Sequence, residues 1–410
     1  MAVHVIVTGA AVTDASVMNT MTSSMTNKSE SLPVNEHESI SRFHGGGLNA
    51  AAKEFNIPRE QWLDLSTGIN PNGYPINTLP TEVWQRLPEE DDDLEAIALA
   101  WFGRSSVNTH VDPHDDKAPA TGCLPVAGSQ AALQLLPSMR APCRVGVPAV
   151  GYAEHEFAWR AAGHDVTRLL PDEVGSALAR LDVLICINPN NPSGEIVCAD
   201  TLIGWHRQLS ARGGWLVVDE AFMDMPVSEE ARSKSLADYY FQLRAAQQNS
   251  GLIILRSLGK FFGLAGMRAG LMFAEPALCV AMKDRLGPWA LSHPARYVMA
   301  RALADVSWQA KSAEQLRQQR QRLVGLLRDA GFMVQGYCDL FVYCPHPFAQ
   351  HVATALAQQA VWVRYFDQPA ALRFGLPGNE VQWQQLTDAL TVITSHPAIG
   401  ANVRQSVDSR

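Results

Sequence analysis

The segment Ser257-Leu258-Gly259-Lys260-Phe261-Phe262-Gly263-Leu264-Ala265-Gly266-Met267-Arg268-Ala269-Gly270 places one lysine and one arginine among four glycines. It follows the apolar run Leu252–Leu255, which has the length and composition of a buried strand. Ligands of open α/β sheets bind beyond the carboxyl ends of the strands. The position of Lys260 therefore favours a functional lysine over one on a helix surface.

Short apolar runs that alternate with helical segments predict one sheet around this lysine. The runs are nearly continuous rather than alternating, which is typical of strands buried on both faces. They predict an α/β fold with a mostly parallel central sheet covered by helices. The predicted strands are Leu124–Ala127, Cys143–Val147, Val183–Asn188, Trp215–Asp219, Leu252–Arg256 and Ala269–Phe273, with crossover helices at Ser129–Leu136, Glu154–Ala162 and Leu202–Arg212.

The pattern changes after Pro288, which predicts a second, smaller α/β domain at the C-terminal end. We expect one long helix over Pro294–Ala330, strands at Phe341–Cys344, Val361–Tyr365 and Leu372–Gly375, and a last helix over Glu380–Ser395. The predicted organisation is a mobile tail (1–41), a large domain (42–290) whose segment 42–60 packs near the small domain, the small domain (291–400) and a second tail (401–410).

Composition limits the classes of function. The 410 residues carry 33 basic and 41 acidic side chains, a net charge of −8, which argues against broad binding to nucleic acid or anionic membranes. No apolar run reaches the 18 residues of a membrane span. The seven cysteines form no Cys-x-x-Cys pair, and no basic residue precedes Lys28 to begin a secretory signal. We expect a cytoplasmic protein.

Other residues with chemical potential occur in a fixed order along the chain. Each is weak alone, since a turn rich in Asn and Pro is usually only a turn. Together with the lysine segment they resemble the pyridoxal phosphate (PLP) enzymes of fold type I, specifically the class I and II aminotransferase superfamily, over about residues 44–395. They are Gly128-Ser129-Gln130, Tyr152, Asn188-Pro189-Asn190-Asn191-Pro192-Ser193-Gly194, Asp219-Glu220-Ala221-Phe222 and Arg373.

The resemblance implies a role toward PLP for each of these residues. Lys260 would bond covalently to the cofactor aldehyde, which requires an amine whose pKa is lowered by burial or by a nearby cation. Asp219 would keep the pyridine nitrogen protonated, and Tyr152 would stack on the ring. Asn191 would contact the ring oxygen. The phosphate would be held by Gly128, Ser129, Gln130, Ser257 and Arg268.

Two arginines are candidates for substrate binding, and one residue departs from the family pattern. Arg373 resembles the arginine that holds the substrate carboxylate, for which a planar guanidinium is suited. Arg364, nine residues upstream, suggests a second anion such as a phosphate. Many aminotransferases carry a tyrosine three residues after the aspartate, but Phe222 stands here and has no hydroxyl.

Longer segments narrow the resemblance to the threonine-phosphate decarboxylases of cobalamin biosynthesis, which are similar to histidinol-phosphate aminotransferases. This implies decarboxylation of L-threonine O-3-phosphate to (R)-1-aminopropan-2-yl phosphate. His44, Gly45 and Asn191 become further candidates for substrate contact, although Gly47 stands where a polar or basic residue is expected. The segments are His44-Gly45-Gly46, Trp62–Pro71, Leu124–Gln130 and Arg373–Pro377.

Of three alternative functions, an aminotransferase stays open, whereas a regulator and a metal protein are disfavoured. The same residues serve an aminotransferase, so the motifs alone do not separate the two reactions. A non-catalytic PLP-binding regulator would add a basic winged-helix domain, for which residues 1–41 are too short and too poor in Lys and Arg. The polar stretch 104–123 holds His110, Asp112, His114, Asp115 and Asp116 without the spacing of a metal site, so no metal is predicted.

The expected partners follow from the same resemblance. We expect a small phosphorylated amino acid as substrate, with no nucleic acid and no membrane. Similar enzymes are homodimers in which a tyrosine of the partner lies near the cofactor phosphate. Tyr74, in Asn72-Gly73-Tyr74-Pro75, is the candidate for that tyrosine.

Overall fold

The computed structural model describes residues 45–103, 122–223, 235–248 and 250–395. The predicted tails, residues 104–121 of the polar stretch with its His and Asp cluster, and His44 lie outside the described residues. The described residues all belong to one unit, Ser41–Arg410. The predicted division near residue 290 stays a prediction.

Strands of the described residues form three sheets. In chain order they are β1 (Leu63–Asp64), β2 (Cys123–Val126), β3 (Arg144–Pro148), β4 (Asp165–Leu169), β5 (Val183–Ile187), β6 (Trp215–Asp219), β7 (Leu252–Ser257), β8 (Gly270–Phe273), β9 (Gly336–Cys338), β10 (Phe341–Pro345), β11 (Val361–Trp362), β12 (Arg364–Phe366) and β13 (Ala371–Gly375).

The central sheet has the order β2-β8-β7-β6-β5-β3-β4. Strands β3 to β7 run parallel, whereas β8 is antiparallel to both of its neighbours. Alternate residues of β6 belong to different cores, since Leu216 and Val218 pack in one cluster and Val217 in another. Burial on both faces explains the continuous apolar runs. The predicted fold class, α/β with a mostly parallel sheet, is confirmed.

Helices pack against the central sheet and against the two smaller sheets. In chain order they are α1 (Leu48–Glu54), α2 (Thr81–Gln85), α3 (Leu94–Gly103), α4 (Ser129–Leu135), α5 (Ala153–Ala161), α6 (Val174–Ala177), α7 (Ala199–Ser210), α8 (Ala237–Ala245), α9 (Pro276–Leu286), α10 (His293–Ala304), α11 (Val306–Asp329), α12 (Ala349–Gln358) and α13 (Glu380–Ser395). Short 3₁₀ turns follow α4 and α6, and another, Ala265–Met267, lies between β7 and β8.

The prediction of one helix over Pro294–Ala330 is wrong. The chain forms α10 and α11, and Asp305 between them has a non-helical backbone. Its Oδ1 accepts a hydrogen bond from the Trp308 backbone N–H at 2.9 Å, which is the arrangement of a helix N-cap. The capped start of α11 therefore redirects the chain within an otherwise continuous helical pattern.

The second sheet is antiparallel, with the order β12-β13-β10-β9. The predicted single strand over Val361–Tyr365 is divided, because β11 pairs in parallel with β1 whereas β12 pairs with β13. The strands β4 and β9 were not predicted. β4 lies at an edge and exposes three of its five residues, so its sequence lacks the apolar run of a buried strand.

The N-terminal described segment packs against the C-terminal half of the chain. Ala51 and Trp62 form a small core with Ala357 and Ala360. The indole N–H of Trp362 donates to the carbonyl of Gly46 at 2.8 Å. These contacts bring the glycine-rich start of the described chain next to β11.

Candidate active site

Lys260 lies in the turn after β7, at the carboxyl edge of the sheet. Its Nζ donates to the carbonyl of Thr67 at 3.2 Å and lies 5.0 Å from the centre of the Phe222 ring. Burial, and then the positive charge of Arg373, lower the pKa of Lys260 from 10.5 to about 8. At neutral pH a useful fraction of this amine is unprotonated, as a nucleophilic lysine requires.

Asp219 ends β6, beside the strand that leads to Lys260. Its Oδ2 lies 2.9 Å from Nε2 of His155, and its Oδ1 accepts from the Ala221 backbone N–H at 3.0 Å. Both side chains are buried. The carboxylate is thus fixed in orientation from two sides.

His155 is a site residue that the sequence interpretation missed. It lies in the first turn of α5, three residues after Tyr152, and its side chain is only 2% exposed. A histidine inside a predicted crossover helix carries no signal by itself. Its position in the first turn, at the same sheet edge as the end of β6, is the feature that could have indicated a contact with Asp219.

Glycine and arginine shape the turn between β2 and α4. Gly128 has a positive φ of 76° that disfavours side chains, and a Cβ there would lie 3.0 Å from Nη2 of Arg268. Gly270, paired with Ser257 across β7 and β8, approaches so closely that a Cβ would lie 2.5 Å from the Ser129 backbone nitrogen. The structure thus brings the predicted phosphate-binding residues together.

Tyr152 immediately precedes α5 and is partly buried. Burial, and then the negative charge of Glu154, raise the pKa of Tyr152 to about 12. The charges of Asp219, Arg268 and Arg364 also act on its pKa, so Tyr152 lies near all three of these site residues.

Arg373 lies in β13 and is 5% exposed. It donates to the side-chain oxygen of Asn191, and its Nη2 donates to the Ser66 carbonyl at 2.7 Å. Its Nε is buried without a hydrogen-bond partner in the described structure. Burial, and then the charge of Arg364, lower the pKa of Arg373 to about 10. The guanidinium is held in place and retains an unused donor.

Arg364 lies in β12, directly opposite Arg373. Its guanidinium is partly buried 5.3 Å from the Phe366 ring centre, and burial lowers its pKa. Among the described residues, no carboxylate forms an ion pair with either arginine. The positive charge of Arg364 thus acts on Arg373, and that of Arg373 acts on Lys260, with no ion-paired carboxylate at either arginine in the described structure.

Phe222 and Phe341 form an apolar surface beside Arg373, and Phe222 also lies beside Lys260. Their rings contact edge to face, 5.1 Å apart. The guanidinium of Arg373 lies 5.0 Å from the Phe341 ring centre and 6.0 Å from that of Phe222. The departure from the family pattern at Phe222 therefore lies beside both Lys260 and Arg373.

The segment around residues 66–74 closes the other side of the lysine turn. The backbone N–H of Asn70 donates to the Lys260 carbonyl at 3.0 Å, and that of Tyr74 donates to the Phe262 carbonyl at 2.8 Å. The Tyr74 ring packs edge to face on Trp308 at 5.2 Å. The backbone N–H of Gly46 donates to the Ser66 hydroxyl at 2.7 Å, so Gly45 and Gly46 lie beside the Arg373 site.

The described residues were also compared with the requirements of a metal site and of a membrane-spanning helix. Within residues 45–103, 122–223, 235–248 and 250–395, no three or more His, Cys, Asp or Glu side chains are grouped to hold a metal ion. Over the same part of the chain, every helix is too short or too polar to cross a lipid bilayer.

Comparison with known families identifies the class of protein. The family model for aminotransferase class I and II matches residues 60–390. This match covers most of the chain, so the chain belongs to the class I and II aminotransferase family.

Individual relatives narrow the comparison. The threonine-phosphate decarboxylase of Pseudomonas aeruginosa is 43% identical over 347 residues, which cover 85% of this chain and 96% of that protein. A threonine-phosphate decarboxylase of a Sinorhizobium species is 35% identical over 85% of this chain and 97% of its own length. By contrast, histidinol-phosphate aminotransferase 1 of Legionella pneumophila strain Lens is 29% identical over 51% of this chain and 56% of its own length. The resemblance inferred from the sequence is confirmed.

Solved structures share the fold at low sequence identity. Histidinol-phosphate aminotransferase from Sinorhizobium meliloti, in complex with pyridoxal-5'-phosphate, has a TM-score of 0.65 at 16% identity and covers 90% of this chain and 100% of its own. The enzyme from Clostridium acetobutylicum has a TM-score of 0.64 at 19% identity, over 80% of this chain and 98% of its own.

Proposed function

We propose that this chain is a PLP-dependent carboxy-lyase that decarboxylates L-threonine O-3-phosphate. The product is (R)-1-aminopropan-2-yl phosphate, the precursor of the aminopropanol linker in cobalamin biosynthesis. The observation that carries the proposal is the pair of opposed arginines, of which Arg373 acts on Lys260, in a chain whose relatives include a threonine-phosphate decarboxylase 43% identical over most of its length. A substrate with a carboxylate and a phosphate matches two cations.

The residues fit PLP in each of its chemical parts. The aldehyde requires an amine of lowered pKa, which Lys260 supplies. Asp219, oriented by His155, provides the carboxylate for the pyridine nitrogen. When bound, PLP takes up the electron pair released as a bond to the substrate Cα breaks. The other cofactor contacts would come from Gly128, Ser129, Gln130, Tyr152, Asn191, Ser257 and Arg268.

The substrate is oriented by its two anions. Arg373 is fixed by Asn191 and Ser66, and its buried Nε remains available to a carboxylate oxygen. Arg364, opposite it, would bind the phosphate. Gly45, adjacent to the Gly46 that bonds Ser66, would lie next to the bound substrate. A substrate contact of His44 stays a prediction from the sequence. By holding both anions, Arg373 and Arg364 would fix the orientation of the substrate Cα, and so would determine which of its bonds is the one that can break.

Lys260 completes the reaction at Cα. The bond between Cα and the carboxylate breaks, CO₂ leaves, and a proton must be delivered to Cα. Lys260, with a pKa of about 8, holds such a proton at neutral pH and can release it readily. In an aminotransferase the same amine would instead carry a proton from Cα to the cofactor.

The test of the function measures both outcomes at once. Purified PLP-loaded protein is incubated with L-threonine O-3-phosphate labelled in its carboxyl group, with and without 2-oxoglutarate. We expect labelled CO₂ in equal amounts in both reactions and none from the Lys260→Ala variant. Glutamate formation without CO₂ would show an aminotransferase and overturn the proposal.

We also infer a homodimer whose partner supplies Tyr74. Three large apolar side chains are more than half exposed: Trp84 (66%), Leu87 (59%) and Trp289 (56%). Their segments are neighbours, because α2 packs on α10 and His293 Nδ1 lies 3.4 Å from the Arg86 carbonyl. Exposed apolar surface of this kind favours a partner, and a second copy supplies one.

The cellular location of this enzyme would be the cytoplasm. The cysteines, all in the described part of the chain, form no disulfide, and five of the seven are buried. Buried thiols on apolar elements are typical of proteins in a reducing compartment.

A further inference from the structure

The side chain of Gln130 makes two hydrogen bonds that are separate from the cofactor contacts proposed above. Gln130 is the second residue of α4, two residues after the N-cap residue Gly128. Its side-chain amide points toward α5. Oε1 accepts a hydrogen bond from the Tyr152 hydroxyl at 3.1 Å, and Nε2 donates to Oε2 of Glu154 at 3.3 Å.

The direction of this hydrogen-bond chain follows from Glu154. Glu154 is 5% exposed and lies in the first turn of α5, where the helix dipole favours a carboxylate. The NH₂ of Gln130 faces Oε2 of Glu154 and donates to it. The amide oxygen then faces Tyr152, and the phenol must be the donor. A reversed amide would place two acceptors against each other at Glu154.

We propose that Gln130 is a positioning residue that fixes the phenol of Tyr152, and with it the ring that stacks on the cofactor. The inference rests on the proposed function. Because the phenol proton is committed to Gln130, the oxygen of Tyr152 can only accept hydrogen bonds from the pocket side. Tyr152 therefore orients the site but does not protonate the substrate, which leaves Cα to Lys260.

A variant of Gln130 and a matched control separate this role from phosphate binding. Gln130→Met keeps the volume and the backbone N–H but removes both hydrogen bonds of the amide. Gln134→Met makes the same change at an exposed position of the same helix. We expect Gln130→Met to lower the kcat for CO₂ release about three- to tenfold, the value of one hydrogen bond. We also expect it to change the circular dichroism per bound PLP. Gln134→Met should change neither.

A double-mutant cycle tests whether Gln130 acts through Tyr152. If it does, the double variant Gln130→Met/Tyr152→Phe has the same kcat and the same dichroism as Tyr152→Phe alone. Losses that multiply would overturn the inference. So would a Gln130→Met variant that binds PLP more weakly while its kcat and its dichroism per bound PLP are unchanged, since Gln130 would then serve the phosphate only.

A ¹⁹F NMR measurement, which does not depend on enzyme activity, tests this inference separately from the proposed function. The full chain is labelled with 3-fluorotyrosine, and the ¹⁹F resonance of Tyr152 is assigned from its absence in Tyr152→Phe. We expect this resonance to shift in Gln130→Met and to stay in place in Gln134→Met, whether or not PLP is bound. An unshifted resonance overturns the inference even if CO₂ is released, whereas a shift without CO₂ would overturn only the proposed function.

Discussion

Arg364 and Arg373 lie directly opposite each other on neighbouring antiparallel strands. Their two positive charges repel each other, and the charge of Arg364 contributes to the lowered pKa of Arg373. Removing such charges from water is costly unless counter-charges compensate them. Because the described residues supply no ion pair to either arginine, a doubly anionic substrate is the natural source of that compensation.

Replacing the two arginines separately should distinguish the two anions of the substrate. Arg373→Lys keeps the charge but loses the planar pair of donors, so we expect kcat/KM for L-threonine O-3-phosphate to fall about 100-fold. Arg364→Gln should raise KM at least tenfold with a smaller change in kcat. Steady-state kinetics of CO₂ release checks both values.

Free inorganic phosphate provides the control for this assignment. It should compete with substrate in the parent enzyme and in Arg373→Lys but much less in Arg364→Gln. Equal inhibition of all three proteins would contradict the assignment of the phosphate to Arg364.

The lowered pKa of Lys260 predicts how cofactor attachment depends on pH. The neutral amine attacks the aldehyde, and its fraction rises tenfold per pH unit until the pH passes the pKa. We therefore expect the rate at which cofactor-free protein captures PLP to rise up to about pH 8 and to level off above it. Stopped-flow absorbance measures this rate. A rate that continues to rise toward pH 10 would show a lysine of ordinary pKa.

His155 should matter for activity more than for folding alone. In His155→Phe the buried Asp219 loses a hydrogen bond, so we expect a loss of about 1–3 kcal/mol in the free energy of unfolding. We also expect kcat per bound PLP to fall about tenfold or more, because the carboxylate is no longer held. Urea denaturation and kinetics measure the two effects.

The matched change for this experiment is His206→Phe. His206 is also buried and hydrogen-bonded, but its partners are Tyr239 and the Ser250 carbonyl. The His206→Phe variant should have a lower free energy of unfolding and an unchanged kcat. Equal losses of kcat in both variants would show that His155 acts only through stability.

Charges at the exposed apolar side chains should separate the proposed dimer. We expect Trp84→Glu/Trp289→Glu to sediment as a monomer at micromolar concentration and the parent chain as a dimer. The control is Val381→Glu, at a 78% exposed position of α13, which should remain a dimer. A parent chain that sediments as a monomer would contradict the proposal that Tyr74 serves a partner.

Much of the fold could be predicted because burial leaves a direct trace in the sequence. Trp215–Asp219 was predicted to the residue, since a strand covered on both faces must be apolar throughout. The edge strand Asp165–Leu169 has no such requirement. Its polar residues interrupt the apolar run that would have predicted a strand. The break at Asp305 was missed because one residue that caps the next helix interrupts no apolar period.

The site was predictable where a residue type is rare in its context and not where it is common. Lys260 was predicted to be functional because it follows a buried strand, whereas Asp219 was identified as one of the ordered residues that resemble the aminotransferase pattern. His155 and Glu154 lie within a helix, where such residues are ordinary. Their contacts depend on the angle at which α5 meets the sheet, and no local pattern records that angle.

The central claim is that Lys260 carries PLP covalently. The native protein is reduced with borohydride, digested and examined by mass spectrometry, with Lys260→Ala treated in the same way. We predict a single modified peptide that contains Lys260 with the phosphopyridoxyl group attached, and no modified peptide from the variant. A Lys260 peptide recovered only in unmodified form, or the label on another lysine, would contradict the account.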